Sequence, residues 1–244
     1  MNKYYYDLHI HSCLSPCADD DNTPANIVGM ATLSGLNIIA LTDHNTTKNC
    51  PVFFRIAKAY GIIAIAGMEL TTSEDIHVIC LFERLEDAMR FGEEIEKHLI
   101  PIKNRPDIFG RQLIVDEDDN IIGEEEYLLS NATDISVDDA PALAKRFGGI
   151  CYPAHIDREA NGIVAILGTL PDAPAFSAVE FHNGDAIDGY EKRFSLEGKV
   201  KVISSDAHYL GDIKDKENYF LLEDEPYSSD YVRHQLFRLL RGEK

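Results

Sequence analysis

Asp7-Leu8-His9-Ile10-His11-Ser12 closes a short apolar run that begins at Tyr4. On a β-strand, residues two apart face the same side, so both imidazoles converge on one point. A strand end that aims two nitrogen donors into one space, beside a carboxylate, makes half of a metal site. His-x-His alone is a common pairing; its meaning depends on where the other histidines and acids fall.

They fall at strand ends. Asn37 to Leu41 is an apolar strand that runs into Thr42-Asp43-His44. A helix from about Pro51 to Tyr60 stops at Gly61, and Ile62 to Ala66 follows as a strand whose exit carries Gly67-Met68-Glu69. Ile76 to Phe82 is a strand with His77 near its start, Ile150 to Pro153 leads into Ala154-His155, and Val200 to Ile203 feeds Ser204-Ser205-Asp206-Ala207-His208. Of nine histidines, only His98 and His234 sit on predicted helices. The alternation of short β-type runs with helix-type stretches predicts an α/β protein with a parallel sheet. If those strands close into a barrel, their C-terminal ends share the face where such folds place their chemistry. Six imidazoles with Glu69 and Asp206 exceed what one ion can use, so the economical expectation is two or three divalent ions bridged by a carboxylate.

The flanking segments carry ordinary punctuation. Thr23-Pro24 opens a helix that Gly35 closes, and Ser229 to Leu240 is amphipathic, with Val232, Leu236, Leu239 and Leu240 on one side. The rhythm breaks in the middle. After a predicted helix from about Leu85 to Leu99, Pro101 and Pro106 interrupt, and Gln112 to Val115 with Ile121-Ile122-Gly123 reads as a β-hairpin around a polar turn. Residues 104–133 are therefore expected to form an insertion within a single domain spanning 1–244. Ser136 and Asp139 mark the start of the next helix, which ends at Gly148-Gly149.

With 244 residues, 45% of them hydrophobic, the chain can bury a large core. No apolar run approaches the ~20 residues needed to span a bilayer, and the first residues lack the apolar stretch of a signal peptide. A cytoplasmic protein without a membrane partner is expected. Five cysteines, an odd set without paired spacing, are expected to stay thiols. The 23 basic and 42 acidic residues give a net charge of −19, which opposes a polyanion over a broad surface. The expected partner is thus a small phosphorylated substrate, approached through bound cations, and not a long duplex nucleic acid. Nothing in the sequence fixes the oligomeric state.

Asp7-Leu8-His9-Ile10-His11-Ser12, Thr42-Asp43-His44, Gly67-Met68-Glu69 with His77, Ala154-His155 and Ser205-Asp206-Ala207-His208 occur in this order. In these motifs the sequence resembles the polymerase and histidinol phosphatase (PHP) domain family, among the amidohydrolase-type metal hydrolases. The resemblance implies a distorted, TIM-barrel-like (β/α)7 fold with up to three ions at its mouth. It implies that His9, His11, Glu69 and Asp206 hold one ion, that Glu69 bridges to a second completed by His77 and His155, and that His44 and His208 hold a third. The loop ligand of that third ion matches Asp19 in the small-phosphatase branch, with Asp20 or Asp21 as alternatives. Arg158 matches a phosphate-binding arginine of that branch, and Glu180 and Asn183 match a Glu-x-x-Asn pattern behind the ligands. Asp43 and Asp7 are expected to fix neighbouring rings or waters, and His182 to face either the site or the sheet exterior.

The mixed nitrogen and oxygen donors suit Mn, Zn or Fe. Such ions lower the pKa of a shared water and neutralise phosphate oxygens, so Glu69, Asp206 and His208 would be the catalytic groups of a phosphoesterase. Its expected substrate is a small phosphomonoester of the nucleotide or nucleoside bisphosphate class. Two other readings are a C–N bond hydrolase of the amidohydrolase type and a non-catalytic metal-binding regulatory module.

Overall fold

The computed structural model describes residues 1–225 and 228–243. In chain order, β1 (Asn2–Ile10), α1 (Pro24–Leu33), β2 (Ile38–Leu41), α2 (Cys50–Tyr60), β3 (Ile63–Thr71) and β4 (His77–Phe82) build the first half. Next come α3 (Leu85–Ile95), α4 (Pro106–Phe109), β5 (Leu113–Val115), β6 (Ile121–Glu124), α5 (Ala140–Arg146) and β7 (Ile150–Pro153). The rest comprises α6 (Ile163–Leu167), β8 (Ala178–Phe181), α7 (Ile187–Glu191), β9 (Val200–Ile203), β10 (Tyr219–Leu222) and α8 (Ser229–Leu240).

Six strands form a curled sheet in the order β10-β1-β2-β3-β4-β7, and β8 pairs with β9. Parallel pairing holds for β1–β2, β2–β3 and β8–β9. It fails for β4, which runs antiparallel to both β3 and β7. Only five residues separate β3 from β4, and a parallel neighbour needs a crossover of a dozen or more. The sheet continues toward β8 and β9 through loop hydrogen bonds: Ile156 N–H donates to the Glu180 carbonyl (2.9 Å) and His11 N–H to the Ala207 carbonyl (2.9 Å). β5 and β6 pair antiparallel as a separate ribbon.

Alternation along the strands divides the core in two. Ile38 and Ala40 of β2, Ile63 and Ile65 of β3, and Ile79 and Leu81 of β4 face a buried cluster into which α8 sends Val232, Leu236, Phe237 and Leu240. The opposite face of the same strands, including Ile39, Leu41, Ala64, Met68, Val78 and Phe82, packs on residues of α1, α2 and α3. On β3 the period of two places Gly67 and Glu69 on the same side as Ile63 and Ile65. That face is therefore apolar beside α8 and carries ligand chemistry at its other end. Helix ends follow local chemistry: the Thr23 side chain accepts the Asn26 N–H to cap α1, and Gly61, at φ 73°, closes α2 in a left-handed turn. α3 ends at Ile95, short of Leu99. No helix among the described residues is long and apolar enough to cross a membrane.

Candidate metal centre

Six strand ends bring the polar groups together. His9 lies on β1 and His11 just past its end, both wholly buried, and their Nε2 atoms face each other at 3.0 Å. His44 follows β2, and Glu69 lies inside β3, whose nine residues are all buried. Because β4 is antiparallel, its first residue, His77, stands opposite Thr71 at the end of β3. His155 follows β7; Asp206 and His208 follow β9. Two of these residues have left-handed backbone, His155 at φ 26° and Asp206 at φ 53°. Gly67, two residues before Glu69, has no space for a side chain. A Cβ there would stand 2.7 Å from Leu81 Cδ2 and 2.9 Å from both the Cys80 carbonyl oxygen and Thr42 Cγ2.

Glu69 occupies the centre. Its Oε1 lies 2.8 Å from His77 Nδ1, 3.2 Å from His155 Nε2 and 3.3 Å from His9 Nε2. Its Oε2 lies 3.1 Å from His44 Nδ1 and 3.2 Å from His11 Nε2. Asp206 Oδ1 stands 3.2 Å from both His9 Nε2 and His11 Nε2. Among the described residues, donor atoms within 4.8 Å of one another form three overlapping groups: His9, His11, Glu69 and Asp206; His44, Glu69 and His77; and His11, His44 and His208.

This donor set fits divalent cations. His44 Nδ1, Glu69 Oε2 and Asp206 Oδ1 are buried without a hydrogen-bond partner, an arrangement that costs free energy unless a cation satisfies it. Their short approaches lack hydrogen-bond alignment, as expected of lone pairs aimed at shared centres.

The electrostatics divide the imidazoles. Burial alone would lower His9, but Glu180, Asp206 and Glu69 outweigh it and hold its pKa well above the ordinary 6.5. His11 likewise rises, against burial, to about 9 through Asp206 and Glu69. His44 is driven well below its ordinary value by burial, with His11, His77 and His208 reinforcing the shift. His208 falls to about 4 through burial and the nearby His11. Burial opposes ionisation of Glu69, yet His77, His9 and His44 carry its pKa well below the carboxylate range.

A ring of supports aims the ligands. Glu180 Oε1 lies 2.8 Å from His9 Nδ1 and accepts the His155 N–H at 3.2 Å. Asp43 accepts the Ser12 N–H (2.7 Å), the Ser12 hydroxyl (2.7 Å) and the Ser15 hydroxyl (2.8 Å). The Ser15 oxygen is in turn 2.8 Å from His11 Nδ1, so Ser15 relays the hold of Asp43 to the ring. Asp7 Oδ1 accepts the His9 N–H (3.3 Å) and the Ser205 N–H (3.1 Å), tying β1 to the exit of β9. Sequence reasoning missed Ser15; its signal is a hydroxyl four residues after His11. It also missed Asp157, whose carboxylate accepts the backbone N–H groups of His182 (2.8 Å) and Asn183 (2.9 Å).

The remaining expected residues lie around the rim. The Arg158 guanidinium donates to Asp206 Oδ2. Asp19 is exposed, its carboxylate accepting the Asp21 N–H (2.9 Å) while its own N–H donates to the His208 carbonyl (3.0 Å). Asp20 and Asp21 are exposed beside it. The Asn183 side chain accepts the Asp185 N–H (3.0 Å) and caps a short turn. His182 is half-buried, and burial and then Arg158 lower its pKa.

The fold and donor set define an α/β protein with a buried cluster built to hold divalent cations. Residues 7–135, more than half of the chain, match the PHP domain, and the chain belongs to that family. It is 32% identical over 116 residues to a 5'-3' exoribonuclease of Haemophilus influenzae, the match covering 39% of this chain and 41% of that one. The matched stretches span 58% or less of each curated relative. Endonuclease Q, solved on a 27-mer duplex with an abasic lesion at its active site, superposes with a TM-score of 0.70 at 17% identity, covering 99% of this chain and 57% of the other. An amidohydrolase from Chromobacterium violaceum gives a TM-score of 0.54 at 20% identity, covering 91% of this chain and 92% of that one.

The endonuclease likeness overturns the expectation of a small phosphorylated partner and no long duplex, because this fold occurs in a protein solved on duplex DNA. The charge argument failed because it averaged over the whole surface. Cations held at one mouth reverse the sign there whatever the net charge of the rest.

Proposed function

We propose that this chain is a metal-dependent phosphoesterase that cuts phosphoester bonds of nucleic acid. The observation that carries the reading is Glu69, whose two carboxylate oxygens are approached by five imidazoles within 3.3 Å. On this reading His9, His11, Glu69 and Asp206 hold one ion, and Glu69 with His77 and His155 holds a second. His44 and His208 hold a third, shared with His11 or with the Asp19 to Asp21 loop. Mn, Zn or Fe suits these mixed donors. Ions so held supply an acidified water and neutralise charge on the phosphate oxygens. The chain's own residues then position the phosphate, and Arg158, now paired with Asp206, turns to fork onto it. The names of the exoribonuclease and the endonuclease favour a nucleic-acid substrate. Seven strands, β1 to β4 and β7 to β9, serve as the wall of a distorted (β/α)7 barrel, with 104–133 inserted into one domain.

The test is the chelator-treated chain with and without Mn, assayed on single-stranded and duplex oligonucleotides carrying terminal phosphates, with a parallel assay of ammonia release from amides and aminopurines. Mn-dependent release of nucleotides or phosphate is expected. Ammonia release without phosphoester cleavage points to the C–N hydrolase reading. Metal-dependent stabilisation without turnover leaves a regulatory module.

A further inference from the structure

A cleft of about 510 Å³ opens beside the cluster, between the loop after β1 and the start of the 104–133 segment, and its lining includes Cys17, Asp19, Ile108, Phe109 and Tyr209. Its inner wall belongs to the site. Asp19 N–H donates to the His208 carbonyl (3.0 Å), and Tyr209 follows His208 directly. Its outer wall is clamped in place. Gly110, at φ 88°, approaches so closely that a Cβ would stand 2.3 Å from the Pro16 carbonyl oxygen. Asn104 Nδ2 donates to the Gly110 carbonyl (2.9 Å), and Leu113 N–H to the Cys13 carbonyl (2.8 Å). This rigid seat holds large apolar side chains in solvent: Phe109 is 41% exposed, and Ile108 and Tyr209 are each 55% exposed.

Charge does not explain the cleft. The cations around it are neutralised locally, Lys103 by Glu126 (2.8 Å), Arg105 by Asp107 (3.0 Å) and Arg111 by Glu124 (3.2 Å). With these cations paired, affinity for a nucleotide beyond the ions and Arg158 falls to the exposed aromatic side chains, which supply it by stacking, and every base permits that. We propose that Phe109 and Tyr209 form a nucleobase subsite, taking the base of the nucleotide whose phosphate lies at the cluster. This assignment rests on the phosphoesterase reading and adds to it the feature of the substrate that the protein itself grips.

The test uses the Mn-loaded full chain and two 5'-phosphorylated oligonucleotides that differ only in the first nucleotide, 2-aminopurine in one and abasic in the other. The KM of the abasic substrate is expected to exceed that of its partner by about tenfold, in line with the loss of one stacked base. Phe109→Ala or Tyr209→Ala brings that ratio toward one, whereas Leu33→Ala, exposed on α1, leaves it unchanged. The 2-aminopurine fluorescence is quenched on binding and recovers in the Phe109 or Tyr209 variant. Hydrolysis of both substrates with a ratio near one overturns the subsite and keeps the phosphoesterase reading. A wild-type ratio that neither aromatic variant lowers also overturns it. Quenching that depends on either aromatic residue, without hydrolysis of either substrate, keeps the subsite and removes the phosphoesterase reading.

Discussion

His9 Nδ1 lies 2.8 Å from Glu180 Oε1, and the same oxygen accepts the backbone N–H of His155. One buried carboxylate thus fixes the ring of a histidine on β1 and the backbone of one that follows β7. With Nδ1 held by Glu180, Nε2 is the nitrogen turned to the cluster, where an ion would displace its proton. Glu180→Gln should lower Mn affinity by about 10–100-fold while the fold persists. Titration calorimetry on chelator-treated protein measures this; an unchanged affinity means the ring is held by packing alone.

Glu69→Gln removes the charge shared among five imidazoles. Phosphoester turnover is expected to fall by about a hundredfold or more, the scale of losing a group that stabilises developing charge. The bound-metal count should fall with it. Metal analysis beside the rate separates loss of ions from loss of chemistry.

Gly67→Ala tests the wall behind that carboxylate. The new methyl meets Leu81, the Cys80 carbonyl and Thr42 within 2.9 Å. Overpacking of this kind costs about 1–3 kcal/mol, read as a lower urea midpoint. Because β3 must shift to admit it, Mn affinity should fall as well. A variant that is destabilised but binds Mn normally would show that β3 yields without moving Glu69.

The pH dependence follows from His11, raised from 6.5 to about 9. In chelator-treated protein the folded chain holds this proton more tightly than the unfolded one. The stabilisation is fully present below pH 6.5 and is lost as pH rises through about 9. An ion must displace the proton, so Mn affinity runs the other way and climbs across the same window. Thermal melts with and without Mn should diverge progressively between these limits; a constant gap would contradict the assignment.

Arg158→Ala should raise KM for phosphorylated substrates by about tenfold or more with a smaller change in kcat, and Arg158→Lys should recover only part of the loss, since an ammonium lacks the planar fork. An unchanged KM confines Arg158 to its contact with Asp206.

The strand-end positions of the polar residues were legible because a period of two and a short apolar run are local signals. His9 and His11, two apart at the end of β1, could be placed on one face without knowing what lay opposite. The direction of β4 was not legible from hydrophobic pattern, which is blind to strand polarity; the short connection from Thr71 to His77 was the cue. Ser15 and Asp157 escaped because serines and aspartates in loops are ordinary turn residues, and only the folded positions of His11 and of the Phe181 to Asn183 turn give them work. The partner was misjudged for a related reason. Net charge is a property of composition, whereas recognition depends on where charge and aromatic surface are displayed.

His155 and Asp206 adopt left-handed backbone, a region in which aspartate and histidine are tolerated better than most residues but glycine is at ease. A search for heat-resistant variants would therefore be drawn to these two positions, since replacing either with glycine relieves local strain. Each such gain would discard a side chain that faces the Glu69 cluster. Sturdiness and reactivity compete here at single codons, and selection for one can be followed as erosion of the other.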